Sequence, residues 1–202
     1  MGKQVEFYFD FGSPYSYLAY QALPGIAAAH AAQIVWRPML LGGVFKATGN
    51  HSPAEIPAKS KWMHQDMQRW AARYGAAFTR NPHFPINTLI LMRGAVGMQM
   101  RGPDFHKYVE AIFHAMWGEP RNLGEPQELA VVLHQAGFDA DTFQSLVNDP
   151  AVKEQLKKNT EEAVARGVFG APTFFVGEEM FWGQDRLDFV AAALLTNTRF
   201  PF

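Results

Sequence analysis

The sequence predicts an α/β fold in which a βαβ unit and a ββα unit frame a large all-helical insertion. Three observations predict it. An aromatic run ends at Gly12-Ser13-Pro14 and passes at once into helical spacing. Through the long middle, apolar residues recur at three- and four-residue intervals between Gly and Pro breaks. After Gly167 the texture returns to strand, with two apolar runs flanking Gly177-Glu178-Glu179 as in a hairpin.

Residues 5–11 read as a short buried strand, aromatic with a β-branched start. From 14 to 32, Leu18, Ala22 and Ile26 fall at helical spacing, and Pro24-Gly25 predicts a kink or a break. Residues 34–40 read as a second strand, so strand, helix and strand suit a parallel right-handed crossover. Segments 53–75, 87–101, 104–117, 125–136, 141–148 and 150–166 read as helices. Asp141-Thr142 and Asp149-Pro150 are expected helix starts, and Gly137 and Gly167 expected stops. Trp62, Met63, Met67, Trp70 and Tyr74 form a stripe that suits core or subunit contact, including a homodimer surface, better than a cofactor box. Residues 173–176 and 180–182 form the expected hairpin, and 185–195 the last helix. The strand-rich ends, 1–45 and 167–202, are expected to fold together as one discontinuous domain around a helical insertion at 46–166.

Composition narrows the function. At 202 residues, 48% hydrophobic, 18% charged and a net charge of -1, the chain has a globular composition. It lacks the basic excess that grips nucleic acid or an anionic membrane. No apolar run approaches the ~18 residues of a membrane span, and the start has no signal-peptide core. A cytoplasmic protein is expected. The absence of cysteine removes disulfides, thiolate metal sites and cysteine nucleophiles together. Histidines 30, 51, 64, 83, 106, 114 and 134 never fall at metal-binding spacing, so no metal is expected. Dinucleotide, P-loop and G-x-S-x-G motifs are absent as well.

What remains is chemistry at two prolines. Ser13 reads as an N-cap with Pro14 at the first helical position. The same helix start, at the C-terminal end of a strand, also suits a bound anion, and the two readings are compatible. Pro172 in Ala171-Pro172-Thr173 cannot donate to a sheet ladder, so it belongs at a strand's first residue, an edge or a turn.

Together these features resemble the thioredoxin fold, and the helical insertion resembles that of DsbA-type disulfide oxidoreductases. The C-x-x-C of that group aligns with Ser13-Pro14-Tyr15-Ser16, where both cysteine positions are serine. Dithiol exchange needs a thiolate, so this chain cannot perform it. The serine variant is similar to kappa-class glutathione transferases and to 2-hydroxychromene-2-carboxylate isomerases. The runs "FYFDFGSPYSYLA", "LLGGVFKATGN", "RWAARYG", "GVFGAPTFFVG" and "FWGQDRLDFV" carry the likeness, and the third and fifth favour the isomerases.

The resemblance implies a glutathione-dependent isomerase of aromatic unsaturated oxo acids, in naphthalene-type catabolism, with a kappa-like transferase or peroxidase as the alternative. A binding module that holds glutathione without turnover stays open beside them. Reduced glutathione is the implied cofactor, without metal, and a small aromatic molecule the implied substrate. Ser13 is implied to face the glutathione sulphur, with Pro14 and Tyr15 beside it. Ala171, before Pro172, is implied to pair through its main chain with the cysteinyl residue. Gln184 and Asp185 match the pair that holds the γ-glutamyl end, in a loop with Gly183 and Arg186. Lys46, Asn50, Lys59 and Asn87 match polar positions lining the ligand cleft, Lys46 toward the substrate carboxylate.

Overall fold

The computed structural model describes residues 2–196; positions 197–202, assigned above to the closing half of the discontinuous domain, lie outside the described residues. Strand β1 (Gln4–Phe9) leads through α1 (Pro14–Ala29) to β2 (Gln33–Pro38). The helices that follow are α2 (Leu41–Thr48), α3 (Pro57–Tyr74), α4 (Leu89–Arg101), α5 (Phe105–Phe113), α6 (Pro126–Gln135), α7 (Ala140–Asn148) and α8 (Pro150–Ala165). The chain closes with β3 (Thr173–Val176), β4 (Glu179–Trp182), a 3-10 turn at Gln184–Arg186 and α9 (Leu187–Thr196). One four-stranded sheet results, in the order β2-β1-β3-β4. β1 and β2 are parallel and the other pairs antiparallel. This is the expected βαβ…ββα arrangement with its helical insertion.

Period-two alternation along β1 builds both faces. Val5, Phe7 and Phe9 are wholly buried on one side, where Phe7 stacks on Phe174 at 5.3 Å between ring centroids. Tyr8 points to the other side and joins Met39, Val44, Ala163, Val168 and Phe175. The first cluster runs on without interruption to Tyr108, Phe113, Trp117 and Leu146 of the helical block. Helices therefore cover both faces, as a sheet with apolar residues on each side requires.

Several boundaries differ from expectation. Pro24 does not break α1: buried Leu23 and Ala27 press the helix onto the core on either side of the missing N–H. β1 ends at Phe9 rather than residue 11, and β2 spans 33–38 rather than 34–40. α2 is not among the helices expected from the sequence. Gly43 packs closely there, since a Cβ would lie 3.0 Å from the Thr160 methyl. The 53–75 segment divides at extended Ile56 into a 3-10 turn and α3. Segment 104–117 becomes α5 followed by a π-helical turn, His114–Gly118. Asp139 rather than Asp141-Thr142 starts α7, its Oδ1 accepting from the Thr142 N–H at 2.8 Å, whereas Asp149 caps α8 as expected. In the α3 stripe Met67 is core but Trp62 is 57% exposed. No helix among the described residues is long and apolar enough to cross a membrane.

Candidate active site

Beyond Phe9 the chain leaves the sheet because its polar groups find other partners. The Phe11 N–H points at the Met92 sulphur at 3.5 Å, and its carbonyl accepts from the Trp117 indole N–H at 2.7 Å. The π-helical turn presents that indole, a local distortion often found at functional sites. Asp10, only 1% exposed, accepts from the N–H groups of Gly12 and Leu41, both at 2.8 Å. The Thr88 side chain lies beside the same carboxylate. Burial pushes the Asp10 carboxyl above its ordinary range, and its polar neighbours, the Gly12 and Leu41 N–H groups first, pull against that shift.

Ser13 is the N-cap of α1, with Pro14 at the first helical position. Its Oγ accepts from the Ser16 N–H at 3.1 Å and donates to the Ala171 carbonyl at 3.0 Å. The hydroxyl thus joins the opening helix to the loop before β3. The Ala171-Pro172 bond is cis. Beneath the first turn, the Ser16 Oγ is buried without a hydrogen-bond partner.

The same loop reaches the closing helix. The Pro172 carbonyl accepts from the Gly183 N–H at 3.0 Å. Gly183 has φ 101°, and a Cβ there would strike the Asp185 carboxylate, so glycine is required. Gln184 is buried, and its carbonyl accepts from the Tyr74 hydroxyl at 2.8 Å. Burial, then the charge of Asp188, pushes the Tyr74 phenol up to about 12. Tyr15 donates to Asp66 at 3.3 Å, and burial together with the charges of Asp66 and Asp185 raises its pKa. Asp185 is exposed and pairs with Arg186 at 2.7 Å.

Ser13, Pro14, Tyr15, Ala171, Pro172, Gly183, Gln184, Asp185 and Arg186 therefore lie on segments that meet at the Ser13–Ala171 hydrogen bond and the Pro172–Gly183 bond. Asn50 reaches the same loop: its Nδ2 donates to the Phe169 carbonyl at 2.8 Å, and the Phe169 ring packs on Trp182 at 5.0 Å. Lys46 in the last turn of α2 and Lys59 in the first turn of α3 are exposed. Asn87 is exposed too, and its Oδ1 accepts from the Leu89 N–H at 3.0 Å, steadying the start of α4. Among the described residues no hydrogen bond or ion pair joins these three to Ser13 or Ala171.

Sequence reasoning missed Asp10, Asp66, Thr88 and Trp117 and assigned Tyr74 to packing. Only Asp10 carried a signal, a lone carboxylate inside an aromatic run. Among the described residues no group of three or more His, Asp or Glu is placed to hold a metal ion.

A sheet of this topology, with a cis-proline loop facing the N-cap of the first helix, defines a thioredoxin-type site. Residues 4–195 match the DSBA-like thioredoxin domain family, to which the chain belongs. Within that group it belongs to the 2-hydroxychromene-2-carboxylate isomerase family. It is 37% identical to the 2-hydroxychromene-2-carboxylate isomerase of Sphingobium xenophagum over 198 residues, which cover 96% of this chain and 100% of that relative. A solved structure of a 2-hydroxychromene-2-carboxylate isomerase superposes with a TM-score of 0.84 at 33% identity, covering 95% of this chain and 94% of that one. Human glutathione S-transferase kappa 1 is 27% identical over 209 residues, 95% of this chain and 91% of that protein.

Proposed function

We propose that this chain is a glutathione-dependent isomerase that converts 2-hydroxychromene-2-carboxylate, or a related aromatic unsaturated oxo acid, to trans-o-hydroxybenzylidenepyruvate. Family membership supports the isomerase activity. The kappa transferase relatives support the use of glutathione. The observation that carries the reading is the Ser13–Ala171 hydrogen bond. A donor and an acceptor there satisfy one another, and a sulphur and a peptide N–H would each take one of them.

The residues present fit that cofactor. The Ser13 hydroxyl would hold the sulphur, and the Ala171 carbonyl the cysteinyl amide. Ser16 adds a buried hydroxyl with no partner of its own under the same helix turn. Asp185 and the Gln184 main chain would hold the γ-glutamyl end, the carboxylate accepting from its ammonium. When bound, glutathione supplies the thiolate that a chain without cysteine lacks, for reversible addition to the substrate's conjugated carbon.

The chain's own residues set the conditions. Ser13 donates to the charged form of the sulphur, and the start of α1 carries roughly half a positive charge, so both favour ionisation. Lys46, at the end of α2 beside Asn50, binds the substrate carboxylate and offsets negative charge that develops on the substrate. Calorimetry with glutathione followed by a chromene absorbance assay tests the proposal. Turnover that requires glutathione and leaves it free at the end is expected. Turnover without glutathione refutes the cofactor, and an accumulating conjugate points instead to a kappa-like transferase.

A further inference from the structure

Asp10 occupies an unusual place. Its carboxylate touches three segments that converge on Ser13: the loop before α1 through Gly12, the first residue of α2 through Leu41, and the start of α4 through Thr88. Its own carbonyl accepts from the Ser13 N–H at 3.0 Å. The start of α2 is not capped locally, since Leu40 before it makes no side-chain cap bond to its own helix. The Asp10 carboxylate does this for α2 from outside. Its two hydrogen-bond partners, the Gly12 and Leu41 N–H groups, are both donors, which suits an acceptor-only group. An asparagine would set an N–H against one of them. Among the described residues no Lys, Arg or His forms an ion pair with Asp10. A buried carboxylate held by neutral donors alone is costly to fold.

Position accounts for that cost. The clamp ties the Ser13 loop to the start of α2. On one side it fixes Gly12, and through it the Ser13 hydroxyl that meets Ala171. On the other it fixes the start of α2, which carries Lys46 and leads to Asn50. A Cβ at Gly12 would lie 3.2 Å from Thr88 and 3.4 Å from Asp10, so the loop has little room to move once the clamp is made.

We propose that Asp10 is a positioning residue, whose carboxylate locks the Ser13 loop to the starts of α2 and α4 and so holds the sulphur-binding hydroxyl in register with the substrate-binding helix. The role of Ser13 in that statement rests on the function proposed above; the clamp itself does not. Asp10→Asn and the milder Thr88→Val test it in two arms.

Without glutathione, amide exchange is followed at Gly12 and Leu41 and at Phe7 and Phe174 of the sheet. Asp10→Asn speeds the first pair at least about 10-fold more than the second, because a donor left facing an N–H loses its bond. Thr88→Val acts in the same sense by about 3-fold. With glutathione, Asp10→Asn lowers kcat on the chromene at least about 10-fold more than it weakens glutathione binding, and the thiolate absorbance of the bound cofactor drops. Uniform acceleration of exchange, or an unchanged kcat in a folded variant, overturns the proposal. If the wild type binds no glutathione, the functional reading fails, and the exchange arm still decides the clamp. If Asp10→Asn does not fold, Thr88→Val decides it.

Discussion

Replacing Ser13 with alanine removes two hydrogen bonds with one oxygen, and each has a calculable consequence. The first is the N-cap bond from the Ser16 N–H, 3.1 Å long and buried. Losing a serine cap costs about 1 kcal/mol. The second is the donation to the Ala171 carbonyl at 3.0 Å. Ala171 is half-buried, so water compensates in part, and the cost sits near the lower end of the range for an orphaned acceptor, about 1 kcal/mol. Together Ser13→Ala should destabilise the ligand-free protein by about 2 kcal/mol, or about 4–8 °C in Tm for a chain of this size. Ser13→Gly, which restores most of the cap, should recover about half of that.

Denaturant titration and scanning calorimetry without glutathione read both values. A Ser13→Ala variant within about 0.5 kcal/mol of the wild type would refute the reasoning, because neither bond could then exist in solution as described. Added glutathione sharpens the test. At about 100 times its Kd the wild type should gain about 2.7 kcal/mol. Ser13→Ala should gain clearly less at the same concentration, and an equal gain would mean that the sulphur does not touch Ser13.

Gly94→Ala sets helix propensity against packing in α4. Alanine favours helix by about 1 kcal/mol, but its Cβ would lie 2.6 Å from Tyr108 Cζ and 2.7 Å from Phe143 Cε2. Those rings are buried and have no room to retreat, so overpacking wins by about 1–3 kcal/mol, read as a lower thermal midpoint; a higher midpoint would mean that α4 does not lie against α5 and α7. A third prediction concerns alkaline pH. Tyr20 and Tyr74 are raised from 10.0 to about 12, chiefly by burial, so the folded state holds their protons longer than the unfolded state does. Their contribution is complete below pH 10 and is lost as pH rises toward 12. Denaturant midpoints should fall across that window in step with tyrosinate absorbance, and Tyr74→Phe should flatten the fall.

Much of the fold was legible because its signals are local. The aromatic alternation of β1, the Ser13-Pro14 helix start, the Asp149-Pro150 cap and the turn at Gly177 each sit within a few residues of what they control. The errors arose where distant groups overrode local preference. Pro24 looked like a break, yet Leu23 and Ala27 keep α1 continuous by packing. α2 was not anticipated, and its first N–H is taken by Asp10, 31 residues away in sequence. The predicted strand through residue 11 stops at Phe9 because Phe11 bonds to Met92 and Trp117.

The sequence alone determined the chemistry that is possible: without cysteine, any sulphur nucleophile must come from outside, and serines stand where a dithiol would be. It also determined the broad order, a βαβ unit, a helical block and a ββα unit, because hydrophobic period and cap residues act within a turn or two of the chain. Tertiary structure decided what the local signals could not reach. It set the Ser13 hydroxyl on the Ala171 carbonyl, 158 residues away, made Ala171-Pro172 cis, and converted a lone aspartate into the group on which three segments converge. The physical reason is one of range. Propensity and periodicity are properties of neighbours along the chain, whereas a buried donor or acceptor must be satisfied by whichever partner the fold brings near.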